Sequence, residues 1–127
     1  MLQADSISSK FYIKSYDNNC FHIVQNKPKT EEIIKKNNFY LSNEIFQDFD
    51  SARSFKELQI KMIENFTNID MLIIGTGENQ FFPNKEFYSK IKNLNFSVDF
   101  MNNPAASRTF NVLVNDERKV AVLMFVD

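Results

Sequence analysis

The chain has no tryptophan, two glycines, one cysteine and one histidine. Each shortage excludes something. A single cysteine rules out an intrachain disulfide. Together with a single histidine it leaves too few ligands for a Cys/His zinc site, so no metal centre is expected. Without tryptophan, the fourteen phenylalanines become the large pieces from which a core must be built. Arginine is also scarce, three against twelve lysines and sixteen asparagines, which makes each arginine more noticeable. The net charge of −1 gives no electrostatic reason to expect nucleic acid or an anionic membrane as partner. No run approaches the roughly 18 apolar residues of a membrane span. Residues 1–10 show neither an apolar signal core nor an Arg-rich presequence, and a cytoplasmic protein is expected.

What is present fits one globular domain, residues 1–127. At 43% hydrophobic and 24% charged, the composition is that of a folded chain, with residues 1–10 expected to be disordered. Residues 11–16 and 20–24 flank Asp17-Asn18-Asn19 and predict a β-hairpin. A loop over 25–30 follows. Residues 31–36 read equally as a short strand or a helical turn, 39–41 as a short strand, and 44–50 as irregular or a single turn. Ser54-Phe55-Lys56-Glu57 has the form of a capping box. Phe55, Leu58, Met62, Ile63 and Phe66 then recur at helical spacing, predicting a helix over 55–66. Met71 to Ile74 is an apolar run without alternation, as in a strand covered on both faces. A second helix is expected from Asn84, a strand over 96–101, a third helix over 105–115 and a final strand over 119–126. Strand–helix–strand–helix–strand from 71 to 126 predicts parallel strands joined by crossovers. The expected fold is α/β and three-layered. Its mixed central sheet has a parallel βαβαβ C-terminal half, with an N-terminal β-hairpin packed at one side.

Residues 72–77 (LIIGTG), 98–101 (VDFM), 105–113 (AASRTFNVL) and 117–123 (ERKVAVL), in that order and spacing, resemble a family of unknown molecular function, the Mth-domain family. Its members include the mitochondrial complex I assembly factor 3 and the adipogenesis-associated Mth-domain protein. The resemblance is strong over 71–125 and weaker over 11–50. It implies a three-layer α/β fold around a mixed sheet with an extra hairpin. The family's commonest motif has Glu where Asp99 stands, often Cys at Ser107, and Tyr at Phe110. Serine at 107 removes a possible thiol from this chain. The assembly role of the eukaryotic relatives needs a mitochondrion and is not carried over.

Both glycines lie in Gly75-Thr76-Gly77, at the end of a predicted strand. In open α/β sheets, ligands sit beyond the carboxyl ends of the strands. The loop lacks the lysine and spacing of a P-loop. It also lacks the third glycine of a dinucleotide fingerprint, since Gln80 stands there. What remains is a structural turn, or a nest of backbone N–H groups that holds an anion. Arg108 is expected in about the first turn of the third helix, where helix N–H groups favour anions. Two roles stay open for it. One is a small anion pocket with Gly75, Thr76, Gly77, Thr109 and Asn111. The other is a bracing ion pair with Asp99 or Glu117. Glu117-Arg118 reads as a solvated or paired turn. Cys20 and His22 are placed on opposite faces of their strand, without partners. Phe81-Phe82-Pro83, with Phe46 and Phe49, is either core or an exposed patch for a partner. No catalytic constellation and no cofactor site is identified. The leading expectation is a protein-interaction or assembly-type module; the alternative is a small anionic-ligand-binding protein or enzyme using the cleft near Arg108.

Overall fold

The computed structural model describes residues 9–17 and 19–126, which form two sheets and two helices. β1 (Phe11–Asp17), β2 (Cys20–Gln25) and β3 (Glu31–Lys35) make an antiparallel sheet in that order. Asn19, at φ 57°, takes the left-handed conformation that the β1–β2 turn requires. The ambiguous 31–36 segment is thus a strand, and the expected hairpin is a three-stranded sheet. The main sheet contains β4 (Phe39–Ser42), β5 (Phe46–Asp48), β6 (Met71–Gly75), β7 (Ser97–Met101) and β8 (Val120–Met124). Its order is β5-β4-β8-β6-β7. β6 is parallel to both β7 and β8, whereas β4 is antiparallel to β5 and β8. β5 falls in the stretch expected to be irregular.

Helix α1 (Lys85–Lys90) joins β6 to β7, and α2 (Asn103–Asn115) joins β7 to β8. The two connections run in opposite directions across the sheet. Crossovers of one hand must then put their helices on opposite faces. The core divides accordingly. On one face Leu72, Ile74, Phe100, Ala121 and Leu123 pack with Phe87 of α1. On the other, Ile73, Val122 and Met124 pack with Ala106, Phe110 and Val114 of α2. The inward residues of the small sheet, Phe11, Ile13, Phe21 and Ile23, join this second cluster. The result is the three-layer α/β arrangement with a mixed sheet and parallel C-terminal half that the pattern predicts. β6 and β8 are covered on both sides, which is why they read as unbroken apolar runs.

The helix expected over 55–66 does not form. Two 3-10 turns, Phe55–Glu57 and Ile60–Met62, are separated by Leu58 in an extended conformation (ψ 132°). Ser54 makes no capping hydrogen bond. Glu57 Oε1 instead accepts from Arg53 N–H at 3.1 Å. Contacts with distant parts of the chain override the local preference. The Phe55 ring meets Phe100 and Phe125, and the Phe66 ring meets Tyr40 and Phe49. Buried Asn38 donates from Nδ2 to the carbonyls of Ala52 and Arg53, and its Oδ1 accepts from Val126 N–H. These anchors draw the segment into an irregular path. The disorder expected of residues 1–10 concerns, for 1–8, positions outside the described residues. Ser9 and Lys10 are held, their carbonyls accepting from the Asn26 side chain and backbone.

Candidate functional site

β6 and β7 are adjacent, and the chain leaves them toward opposite faces of the sheet. This is the switch point at which open α/β sheets keep a crevice for ligand. Here the crevice is closed by one side chain. Asn103, fully buried, accepts from Gly77 N–H through Oδ1 at 3.0 Å and donates from Nδ2 to the Phe125 carbonyl at 2.8 Å. Its own N–H donates to the Gly77 carbonyl at 2.8 Å. The loops after β6, β7 and β8 are therefore tied together through a single carboxamide. Gly75 makes room for it. A Cβ on Gly75 would stand 2.5 Å from Asn103 Oδ1 and overlap the Met124 sulfur. Gly77, at φ 105°, then turns the chain away.

The donors that an anion would need are already used. Thr76 N–H bonds to the Met101 carbonyl at 2.8 Å, and Gly77 N–H to Asn103. At the start of α2, the Ala105 N–H is taken by Asn102 Oδ1 and the Ala106 N–H by the Asn102 carbonyl. Pro104 has no N–H to offer. The helix begins at Asn103, earlier than expected, so Arg108 lies beyond the first turn, where the helix dipole has faded. Arg108 is exposed, and among the described residues no ion pair joins it to Asp99 or Glu117, both also exposed. Thr109 is half-buried and makes no side-chain hydrogen bond among the described residues.

Asn111 points elsewhere. Its side chain grips the backbone of Ile13, Oδ1 accepting from N–H at 2.8 Å and Nδ2 donating to the carbonyl at 2.7 Å. The register of β1 shifts between Ile13 and Ser15, so Asn111 docks the small sheet on α2 where its ladder is irregular. Glu117, at φ 62°, ends α2. Its N–H bonds to the Val114 carbonyl and that of Arg118 to the Leu113 carbonyl, the pair of bonds of a Schellman motif. This backbone role, usually given to glycine, was not visible in the charge pattern. Cys20 and His22 share one face, because residues two apart in a strand do. The sulfur lies 3.9 Å from His22 Nε2.

Thr76 connects the glycine loop to the surface. Its Oγ1 donates to the Asn79 carbonyl at 2.6 Å and accepts from Phe81 N–H at 3.1 Å. Gln80 Nε2 donates to the Phe100 carbonyl at 3.0 Å, pinning the loop to β7. The loop so held presents Phe81 and Phe82, 47% and 70% exposed. Behind them lies a cleft of about 380 Å³ lined by Phe55, Lys56, Leu58, Phe81, Phe82, Pro83, Asn84 and Phe87. Asn84 caps α1, its side chain accepting from Phe87 N–H at 2.8 Å, so the cleft floor is anchored at that end. Phe46 is half-buried and Phe49 buried, and neither belongs to this patch.

The profile of a protein family of unknown function, DUF498/DUF598, matches residues 13–125. The chain belongs to that family. It is 38% identical over 80 residues to the 13 kDa major membrane protein of Francisella tularensis subsp. holarctica (strain LVS). That match covers 62% of this chain and 64% of the relative. A crystal structure of a Bordetella parapertussis protein superposes with a TM-score of 0.78 at 17% identity, over 94% of this chain and 98% of that one. The solution structure of a Bordetella pertussis protein, described as a Mth938-like domain, gives 0.71 at 15% identity, over 100% of this chain and 92% of that one. These likenesses carry the fold. Among the described residues no helix is long and apolar enough to cross a membrane.

The residues that organise this end of the sheet, Asn103 and Asn38, were missed from sequence. With sixteen asparagines in the chain, nothing local marks the two whose amides are buried. The one available signal was Asn103-Pro104 beside a strand end. Proline is favoured in the first turn of a helix, so Asn103-Pro104 marks a helix start beside the strand ends.

Proposed function

We propose that the protein is a non-enzymatic interaction module that docks a partner protein through the arm at Phe81 and Phe82. The observation that supports this is the exposure of two adjacent phenylalanines on a loop braced by Thr76 and Gln80, over an apolar cleft. Rigid presentation of aromatic side chains lowers the entropic cost of binding, and aromatic anchors dominate interface energetics. A photo-crosslinking residue at position 82, expressed in the native cell, should give one discrete adduct that excess unlabelled protein suppresses. A label at the exposed Asp99 position should not. Diffuse labelling at both positions would refute the reading. On this reading the protein acts in the cytoplasm and needs no cofactor. The name of the Francisella relative makes membrane attachment the competing location, and ultracentrifugal fractionation of cells separates the two.

A second reading is a small anionic ligand near Arg108, favoured by the exposed guanidinium that no carboxylate among the described residues pairs. Gly75, Thr76, Gly77 and Asn111 would then act only as supports, because their polar groups are engaged within the chain. Arg108 and Thr109 would carry the ligand. Titration calorimetry with phosphate, sulfate and small carboxylates tests this, and absence of binding at millimolar concentration rejects it.

A further inference from the structure

Three side chains with complementary chemistry stand in line on the outer face of the small sheet. Cys20 and His22 project from β2, and Glu32 projects from β3. β2 and β3 pair with Val24 opposite Glu32 and His22 opposite Ile34. His22 and Glu32 are therefore diagonal neighbours, a spacing that long side chains bridge. His22 Nδ1 lies 2.9 Å from Glu32 Oε1, and His22 Nε2 lies 3.9 Å from Cys20 Sγ. The His22 hydrogen bond, and then the charge of Lys14, hold the Glu32 carboxyl below its usual range. Glu32 is thus an acceptor at neutral pH. In the neutral imidazole this contact places the proton on Nδ1 and leaves the Nε2 lone pair facing the thiol. A nucleophile, a base within reach of it and a third group orienting the base are the parts of an activated thiol.

We propose that Cys20 is a modification site, at which the thiol passes its proton to His22 Nε2 and exchanges with a low-molecular-weight disulfide to form a mixed disulfide. The Cys20 sulfur attacks one sulfur of the disulfide, and a new S–S bond forms. The original S–S bond breaks, and its electron pair leaves on the departing thiolate, which takes up the proton held by His22. Cys20 is oxidised and the departing sulfur is reduced, so no further oxidant is needed. The surroundings select this reaction over acyl transfer. β2 is the central strand of its sheet, and from Phe21 onward its backbone is paired on both sides, so those N–H groups are engaged in the two ladders and not turned to an oxyanion. Cys20 is the chain's only cysteine, so no second thiol within the chain can resolve the adduct. The adduct persists until an external thiol arrives, which makes the event a modification and not a turnover. Among the described residues, the charged groups facing the cluster are Lys14 and Asp17 from β1 and Glu32 from β3, with Tyr12 the remaining titratable group. Lys14 favours a thiolate and Asp17, opposite Cys20, opposes it.

The test follows the rate of reaction with 5,5′-dithiobis(2-nitrobenzoate) as a function of pH in wild type, His22→Gln and Glu32→Gln. Near neutral pH the wild type should react on the order of tenfold faster than His22→Gln, with Glu32→Gln between them, because only the thiolate is nucleophilic. Above the ordinary thiol titration the three rates should converge, which loss of a merely structural contact would not produce. Circular dichroism checks that all three are folded. Incubation with glutathione disulfide should then give one glutathione adduct on the wild type and none on Cys20→Ser. Equal rates for wild type and His22→Gln at every pH, or a ratio that does not change with pH, would overturn the proposal. So would failure of the wild type to take up glutathione.

Discussion

Asn103→Ala should cost more stability than a change of its size suggests. The substitution leaves the Gly77 N–H and the Phe125 carbonyl, now bonded at 3.0 and 2.8 Å, without partners in a buried place. Each such orphan costs about 1–3 kcal/mol, so the sum is about 2–6 kcal/mol. A domain of this size holds only about 5–15 kcal/mol in total. Urea unfolding followed by circular dichroism reads the loss directly, provided the slope with denaturant is unchanged. The sharper test adds Gly75→Ala. In the wild type the new Cβ would stand 2.5 Å from Oδ1 of the Asn103 carboxamide, a group held by one hydrogen bond at Oδ1 and one at Nδ2, while the Met124 sulfur on the other side is the far part of a flexible side chain. In the Asn103→Ala background that obstacle is gone. Gly75→Ala should therefore be less harmful there, with a coupling of about 1–2 kcal/mol in a double-mutant cycle. Additivity within about 0.5 kcal/mol would refute the claim that Gly75 exists to admit Asn103. An Asn103→Ala variant as stable as wild type would refute the clasp itself.

Asn111→Ala should cost about 1–3 kcal/mol by stranding both backbone groups of Ile13, and hydrogen exchange at the Ile13 amide should quicken well before global unfolding does. Glu117→Gly should stabilise by about 0.5–1 kcal/mol, since a left-handed conformation strains a side chain more than it strains glycine. Thermal unfolding should show a rise of about 2–4 °C, and no rise would remove the Schellman assignment. Burial pushes the Tyr40 phenol up to about 12. The fold favours its neutral form, so this contribution is complete below the unfolded value of about 10 and is lost as pH rises from there toward the folded value. Between about pH 8 and 11 the wild type should lose about 1 kcal/mol relative to Tyr40→Phe; parallel pH profiles for the two would contradict it.

Much of the fold was readable because its main signals are long-range only in outcome. The apolar runs of β6 and β8, the Asn-rich β1–β2 turn and the Asn84 cap all announce themselves locally. The segment 55–66 misled because its apolar residues happen to recur at helical spacing, while Phe100, Phe125, Tyr40 and Phe49 decide where the rings go. β5 was hidden because three residues of edge strand carry almost no periodic signal. The scarcity of glycine pointed to the right loop for a different physical reason. Gly75 is small because a side chain of the protein, not a ligand, must approach it. Arg108 attracted notice for its rarity, yet its place on the helix follows from where the helix starts, and Asn102 and Pro104 set that two residues earlier than the pattern predicts. Cys20 and His22 needed only the two-residue period of a strand to be placed together. Their link to Glu32 required the β2–β3 register, which no single segment contains.

The order of the main sheet has a consequence for how the chain is made. β8 stands between β4 and β6, so it is the sole bridge between the β5–β4 pair and the β6–β7 pair. During synthesis everything up to residue 119 leaves the ribosome before that bridge exists. The two pairs then have edges without partners, and Leu41, Leu72 and Ile74 lie on surfaces that β8 has yet to complete. Until β8 emerges such a nascent chain is prone to aggregation, and a chaperone that releases it before then would release an open sheet.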